Sequence, residues 1–455
     1  MNKVKNTNRY GGWKVSGIKH ISPTCLLIEA SIILLFSKQL IVNMVGGKRH
    51  AIATIIMIAV IVSIYIAIIV IMKKAIMKRN VFAMPLKKTL YFFQFFLVFY
   101  WIGLIFVTPN GGTLIQRVVS SSYAAGFTLI IWIPIVFLNS LTDVKRLVRT
   151  MILITGAVGI IGIIQWFIPE ANLPWLLQGD QTVFQSATVF GTARVNGLIG
   201  TPLEFAFLMT MMAFLFLIRL EDRISFTNML MLAITIFCIS ITASRAFWLI
   251  TAFAMIVLIV HSRKKHLLTI PLIITCFLLI STASRDFFLI PLTMQHPVYK
   301  TSVVTKTSAI SEALSELNSS PLIGTGLGFQ TAPVFGDASR KIISDGFWWA
   351  LLLEGGIIGI FLLFTLIIIF CLIFFEALRR KNGCSKYSRQ LAKWGITFIG
   401  IAFLGNISNS SLNNQILNII FYLMIGTVLA AINIEFREDL VRRRWALRRS
   451  KARCE

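Results

Sequence analysis

Apolar residues in this chain fall in long unbroken runs rather than at alternate positions or on narrow helical stripes. Residues 51 to 72 contain no charge, no glycine and no proline. Alternation with a polar lumen face, as in a membrane β-barrel, does not produce apolar runs of about 20 residues, so the runs are spanning helices and the expected fold is all-α. Charged and turn-forming residues bound twelve such runs, near 21–37, 51–72, 89–107, 118–139, 147–168, 197–218, 227–243, 246–260, 267–283, 346–375, 391–411 and 415–434. The first follows a basic segment containing Lys14 and Lys19, but Glu29 interrupts it and no small-residue cleavage pattern follows, so it reads as a retained helix. A polytopic integral membrane protein of about twelve helices, forming one domain over 1–455, is the expectation.

Composition agrees with the pattern. With 56% hydrophobic residues, 14% charged residues and a mean hydropathy of +0.80, a soluble globular enzyme, a disordered chain and a secreted disulfide scaffold are all excluded. Cys25, Cys238, Cys276 and Cys371 lie in apolar stretches, and Cys384 and Cys454 lie in basic ones. No C-x-x-C spacing is present, so neither a disulfide framework nor a metal site is expected.

The formal charge of +26 suggests nucleic acid until the charges are mapped onto the runs. With a cytoplasmic N-terminus, 33 of the 44 Lys and Arg fall inside and 11 outside, which places both termini in the cytoplasm. The basic tail 435–455, rich in arginine from Arg442 onward, then lies against the anionic inner leaflet, and no nucleic-acid partner is needed. On this topology the longest outer loop is 284–345, between helices 9 and 10. Within it, residues 307–317 place Ile310, Ala313, Leu314 and Leu317 on one helical face, with Pro321 beyond the end.

Several ionisable residues then gather at the outer boundary: Arg194, Arg245, Arg285, Arg340, Lys341 and Asp345. Arg245 sits in ITASRAFW, a turn too short to be a solvated loop. It either snorkels to headgroups or serves a site. Arg285 either pairs with the adjacent Asp286 or serves the same site. Guanidinium groups bind phosphate oxygens bidentately and keep their charge, so such a cluster suits a diphosphate. Asp345 is either a helix N-terminal residue favoured by the dipole or a general base toward a sugar hydroxyl. Glu354 lies about 13 Å deeper and half a turn round, so it shares a pocket with Asp345 only if Gly355–Gly356 distorts the helix. Glu354 is expected to be a buried polar partner. Glu29 and Glu204 are similar carboxylates without an assigned role. In PLIGTGLGF, Gly324 and Gly326 supply tight turns that shape a loop over a cavity, since the strand–loop–helix context of a nucleotide site is missing.

Four segments taken in order, RVNGLIGTP (194–202), TASRAFW (242–248), SSPLIGTGLGF (319–329) and SDGFWWALLLEGGIIG (344–359), resemble the O-antigen ligase and O-antigen polymerase superfamily over roughly 190–375. The resemblance implies a metal-independent C-type glycosyltransferase fold, without a cofactor, acting on undecaprenyl-diphosphate-linked oligosaccharide at the outer face of the bacterial cytoplasmic (inner) membrane. It implies that Arg194 and Arg245 hold the lipid diphosphate and that Asp345 activates the acceptor. Arg285, Arg340, Lys306, Gly324 and Gly326 would contribute to substrate binding. Ligases usually carry histidine at the position matching Asp345, so SDGF favours a polysaccharide polymerase. Many members have arginine near the start of the loop helix, where this chain has Lys306. A ligase transferring glycan to lipid A core or protein is the alternative within the superfamily, and a flippase or other transporter of lipid-linked glycans is the alternative outside it. Chain-length regulator and flippase proteins are the expected partners besides the bilayer.

Overall fold

The computed structural model describes residues 28–30, 32–33, 83–107, 113–168, 188–189, 192–193, 195–197, 199, 201–222, 225–242, 244–261, 308, 311, 314–328, 346–380, 383–407, 412 and 415–452. The described residues are all-α apart from one two-residue hairpin, β1 (Thr188–Val189) against β2 (Thr192–Ala193). The helices are α1 (Lys87–Val107), α2 (Leu114–Ala124), α3 (Trp132–Phe137), α4 (Leu141–Phe167) and α5 (Pro202–Asp222), followed by α6 (Phe226–Ile241), α7 (Arg245–His261), α8 (Phe347–Arg379), α9 (Lys386–Gly405) and α10 (Gln415–Lys451). A 3-10 turn, Gly126–Ile131, joins α2 to α3.

Among the described residues six helices, not twelve, are long and apolar enough to cross a membrane: Lys87–Val107, Gln116–Phe137, Leu141–Phe167, Pro202–Glu221, Phe347–Arg379 and Leu417–Ser450. These are the helices of a multi-pass membrane protein. The expected count failed because hydropathy registers every apolar run, whereas crossing a core of about 30 Å needs about 20 helical residues. The runs at 227–243 and 246–260 are helices of 16 and 17 residues. The run at 391–411 belongs to α9, whose first half carries Lys386, Arg389 and Lys393. The runs at 51–72 and 267–283, and most of 21–37, lie outside the described residues. The large outer loop between a ninth and a tenth helix falls with that count. Of 284–345 the structure describes residues 308, 311 and 314–328, and the last stretch docks onto α8.

At the centre stands α10, buried on every side from Leu417 to Phe436. It packs on the 3-10 turn, α3 and α9, while α5 is covered by α6 and α9, and α8 lies between α1 and α9. A helix that is apolar all round belongs inside a bundle, and α5 and the Leu417–Phe436 part of α10 are of that kind. By contrast α1 presents an exposed row of Phe92, Phe95, Phe99 and Phe106, suited to lipid. Gly426 lets α10 approach the 3-10 turn closely: a Cβ there would lie 2.5 Å from the Ile131 carbonyl oxygen.

Carboxylates inside this bundle fix helix ends and joints. Thr201 and Glu204 form a reciprocal cap on α5, with the Glu204 amide donating to Thr201 Oγ1 at 3.3 Å and the Thr201 amide donating to Glu204 Oε2 at 2.7 Å. Glu29 takes a two-pronged contact from Arg146, with Nε to Oε1 and Nη2 to Oε2 both at 2.7 Å. Glu435, from α10, accepts from the Ser385 amide at 2.5 Å and from Ser388 Oγ at 2.9 Å, so it caps the start of α9. Lys393 pairs with Glu221 and ties α9 to the end of α5.

Gly426→Ala is expected to destabilise the detergent-solubilised protein by about 1–3 kcal/mol, because the methyl group meets backbone that cannot rotate away. Gly400→Ala, where nothing lies within 4 Å, is the matched control and should leave the thermal midpoint unchanged or slightly raised. Equal midpoints for the two variants would show that the α10 contact is not tight.

Cys384 reports on the α9 cap. Burial, reinforced by the Glu435 carboxylate, pushes its thiol up to about 11. Alkylation is therefore expected to stay slow at pH 8 and to accelerate only as pH approaches 11, because the thiolate is the reacting form. Glu435→Gln should move that profile to lower pH, and an unchanged profile would remove Glu435 as a cause.

Candidate functional site

Two of the four segments that carry the resemblance meet in space. The helix α8 is broken at Gly356, whose φ of 63° and ψ of −169° are not helical and suit only glycine. A break inside an apolar bundle frees carbonyls ahead of it and amides behind it, and each needs a partner. Residues 320–325 supply them. The Thr325 amide and hydroxyl donate to the Leu353 carbonyl at 2.7 and 3.0 Å, and the amides of Ile357 and Ile358 donate to the carbonyls of Pro321 and Leu322 at 3.0 and 3.2 Å.

Close backbone contact explains the glycines on both sides. A Cβ on Gly324 would overlap the Leu353 carbonyl oxygen, and one on Gly356 would overlap the Leu322 carbonyl. Gly324, Gly326 and Gly328 all have positive φ, at 78°, 120° and 84°, and all three are buried. The tight turns expected at Gly324 and Gly326 are therefore present, and Gly324 faces the break. Leu317, on the described helical turn 314–317, packs on Leu353, whereas Leu314 is exposed.

Immediately before the break lies Glu354, 3% exposed, whose carboxylate accepts from Ser120 Oγ on α2. The non-helical residue, Gly356, lies beyond Glu354, so Glu354 keeps its place on the regular helical turns that begin at Phe347. Tyr100 donates its hydroxyl to the Gly355 carbonyl at 2.6 Å, and the Trp101 ring lies against Gly355. One turn from Ser120 on α2 stands Arg117, whose Nη1 donates to the Ile105 carbonyl at 3.2 Å. A carboxylate, two hydroxyls, a phenol and a guanidinium thus lie within a turn or so of the break. Arg117 and Ser120 escaped the sequence reading because they stand at the start of the apolar run 118–139, where a boundary charge passes as a flank. The argument applied to Arg245, a cation at the edge of an apolar helix, would have found Arg117.

The described parts of the other two segments are turns that lead into α5 and α7. In 194–202 the Gly197 amide donates to Gln165 Oε1 at 2.9 Å, and the Gly197 α-carbon abuts the Phe205 ring at a φ of 58°. In 242–248 the buried Thr242 and Ser244 join α6 to α7, Trp248 Nε1 donates to the Ile239 carbonyl at 2.9 Å, and Phe247 is fully buried. Arg245 is the first residue of α7. Arg194, Arg285, Lys306, Arg340 and Asp345 lie outside the described residues. Among the described residues no group of three or more His, Cys, Asp or Glu is gathered as metal ligands would be.

Gly356→Ala is expected to expel the 320–328 segment, because the side chain both opposes the backbone angle and overlaps Leu322. Hydrogen exchange of the amides of Gly324, Thr325, Ile357 and Ile358 should rise while amides of α5 stay protected. Unchanged exchange at those four positions would mean that the break is held by something else. No protein-family model matches this chain, and no curated protein matches it.

Proposed function

We propose that the protein is a glycosyltransferase of the polysaccharide polymerase type, joining lipid-diphosphate-linked oligosaccharide repeat units at the outer face of the cytoplasmic membrane. The observation that carries this reading is the docking of 320–325 on the break in α8: two segments of the suggested motif series, separate in sequence, form one polar constellation inside a membrane bundle. The orientation, with both termini cytoplasmic, rests on the asymmetry of basic residues.

In the proposed reaction a sugar hydroxyl attacks the anomeric carbon of the donor. The carbon–oxygen bond to the diphosphate breaks as the new glycosidic bond forms, and the hydroxyl proton passes to Asp345. The departing diphosphate is held by Arg245 and Arg194, with Arg285 and Arg340 in support, through fixed guanidinium donors. Arg245 opens α7 beside the buried Thr242 and Ser244, so its backbone position adds the positive end of a helix to its own charge. Glu354, Ser120 and Arg117 are assigned to holding the acceptor side of the site in register with the 320–328 loop. The energy is already present in the donor, so no nucleotide is required.

A second reading has one observation in its favour. Transport of lipid-linked glycan suits a broken helix with a carboxylate at the break, because discontinuous helices form binding sites in many transporters.

Purified protein in nanodiscs, given only undecaprenyl-diphosphate-linked repeat units, should yield a ladder of longer lipid-linked glycans and free undecaprenyl diphosphate. A ligase would remain silent until its own acceptor was added. Movement of the lipid across proteoliposomes without new glycosidic bonds would overturn the enzymatic reading in favour of transport. Arg245→Lys should lower the rate on the order of 10²-fold, since the charge is kept and the fork is lost. Asp345→Asn should lower kcat by about 10²–10⁴-fold with KM little changed. Wild-type rates from Asp345→Asn across the pH range would place the base elsewhere.

A further inference from the structure

At one end of the bundle α4 begins, α5 ends and α9 begins. Tyr387, in the first turn of α9, draws a cation from each of the other two helices. The Arg219 guanidinium, from the last turn of α5, lies beside the Tyr387 hydroxyl, and Lys145 Nζ of α4 lies over the Tyr387 ring, 5.2 Å from its centre. Two positive charges from different helices thus converge on one side chain.

Neither has a carboxylate to answer it. Arg146, next to Lys145, is held by Glu29; Lys393 takes Glu221 at the end of α5; and Asp143 is engaged by the Ser140 amide and hydroxyl. No ion pair among the described residues involves Lys145 or Arg219. Tyr387 does not supply the missing charge either, because burial pushes its hydroxyl up to about 12 and leaves it neutral near pH 7.

Helix dipoles account for half of the arrangement. The dipole of α5 favours Arg219 in its last turn, whereas Lys145 stands near the opposite, N-terminal end of α4, whose dipole gives a cation nothing. Cation–π attraction holds Lys145 on the ring without neutralising it. Like charges held together call for an anion between them.

The depth of the pair indicates which anion. Arg219 stands two residues before the end of the span Pro202–Glu221, where the apolar core gives way to headgroups. On the topology set by the basic residues this is the cytoplasmic boundary. Lys145 is exposed and Arg219 half-buried, so neither is sealed inside the bundle. A guanidinium presents paired donors that match two phosphate oxygens, and an ammonium adds a point charge.

We propose that Lys145 and Arg219, held apart by Tyr387, form a phosphate-binding site at the membrane boundary, taking the phosphate of an anionic lipid headgroup or free phosphate. Tyr387 positions the two cations. The site is independent of the chemistry assigned to the α8 break.

The test uses the full-length protein in neutral detergent, with phosphatidylglycerol, phosphatidylcholine or inorganic phosphate added. Native mass spectrometry should show one phosphatidylglycerol bound at least about tenfold more tightly than phosphatidylcholine. Lys145→Gln and Arg219→Gln should each abolish that preference, while Arg448→Gln, on the exposed tail, should leave it intact. Lys145→Gln alters an exposed side chain and decides the matter even where Arg219→Gln fails to fold. If the source is free phosphate, inorganic phosphate will instead raise the thermal midpoint of the wild type and not that of Lys145→Gln. Equal binding of the two lipids with no response to phosphate, a preference or response that survives Lys145→Gln, or an equal loss in Arg448→Gln would each overturn the proposal.

Discussion

Backbone polar groups buried away from water must be paired, and in this molecule that constraint is concentrated at one place. The break of α8 at Gly356 leaves peptide groups that neither lipid nor apolar side chains can satisfy. The answer is another piece of irregular backbone, 320–325, whose own peptide groups have the same need. Each irregular segment is tolerable only because of the other. The glycines, the Tyr100 hydroxyl on the Gly355 carbonyl and the Trp101 ring against Gly355 all serve that mutual satisfaction.

The same economy governs the charges. Glu29, Glu204, Glu354 and Glu435 are each engaged by a specific donor, and in three of the four the donor lies on a different helix or segment of chain. A buried carboxylate left unpaired costs several kcal/mol, so Glu29, Glu354 and Glu435 each act as a coordinate that only one arrangement of helices satisfies. The α9 start illustrates this: Ser385 and Ser388 can be capped by Glu435 only when α10 stands at the centre of the bundle.

Much of the architecture was legible along the chain, and its limits are physical. Apolar runs of 19 or more residues became helices at 87–107, 141–167, 202–222 and 347–379 because length and composition alone determine them. The number of crossings was not legible, since 16 apolar residues register in hydropathy as strongly as 20 and only length separates them. Gly355–Gly356 was visible as a point where α8 could bend. The partner that makes the bend stable was not visible, because 321–325 lies some thirty residues upstream and its contacts are non-local. The cap of α5 was readable in T-P-L-E, a hydroxyl three residues before a carboxylate at a proline-led helix start, yet Glu204 passed as a membrane carboxylate without a role.

Docking between 320–325 and the α8 break also sets an order of events during biogenesis. Synthesis runs from the N-terminus, so residues 320–325 leave the ribosome before Leu353, Ile357 and Ile358, to which they bond. The glycine-rich segment must wait, with its peptide groups hydrated, until α8 has entered the membrane. The nascent α8 in turn holds a defect at Gly356 that stays unsatisfied until the segment arrives. Insertion of this helix and completion of the site are therefore separate steps, and the second is a post-insertion folding event rather than a property of the membrane-spanning helix itself.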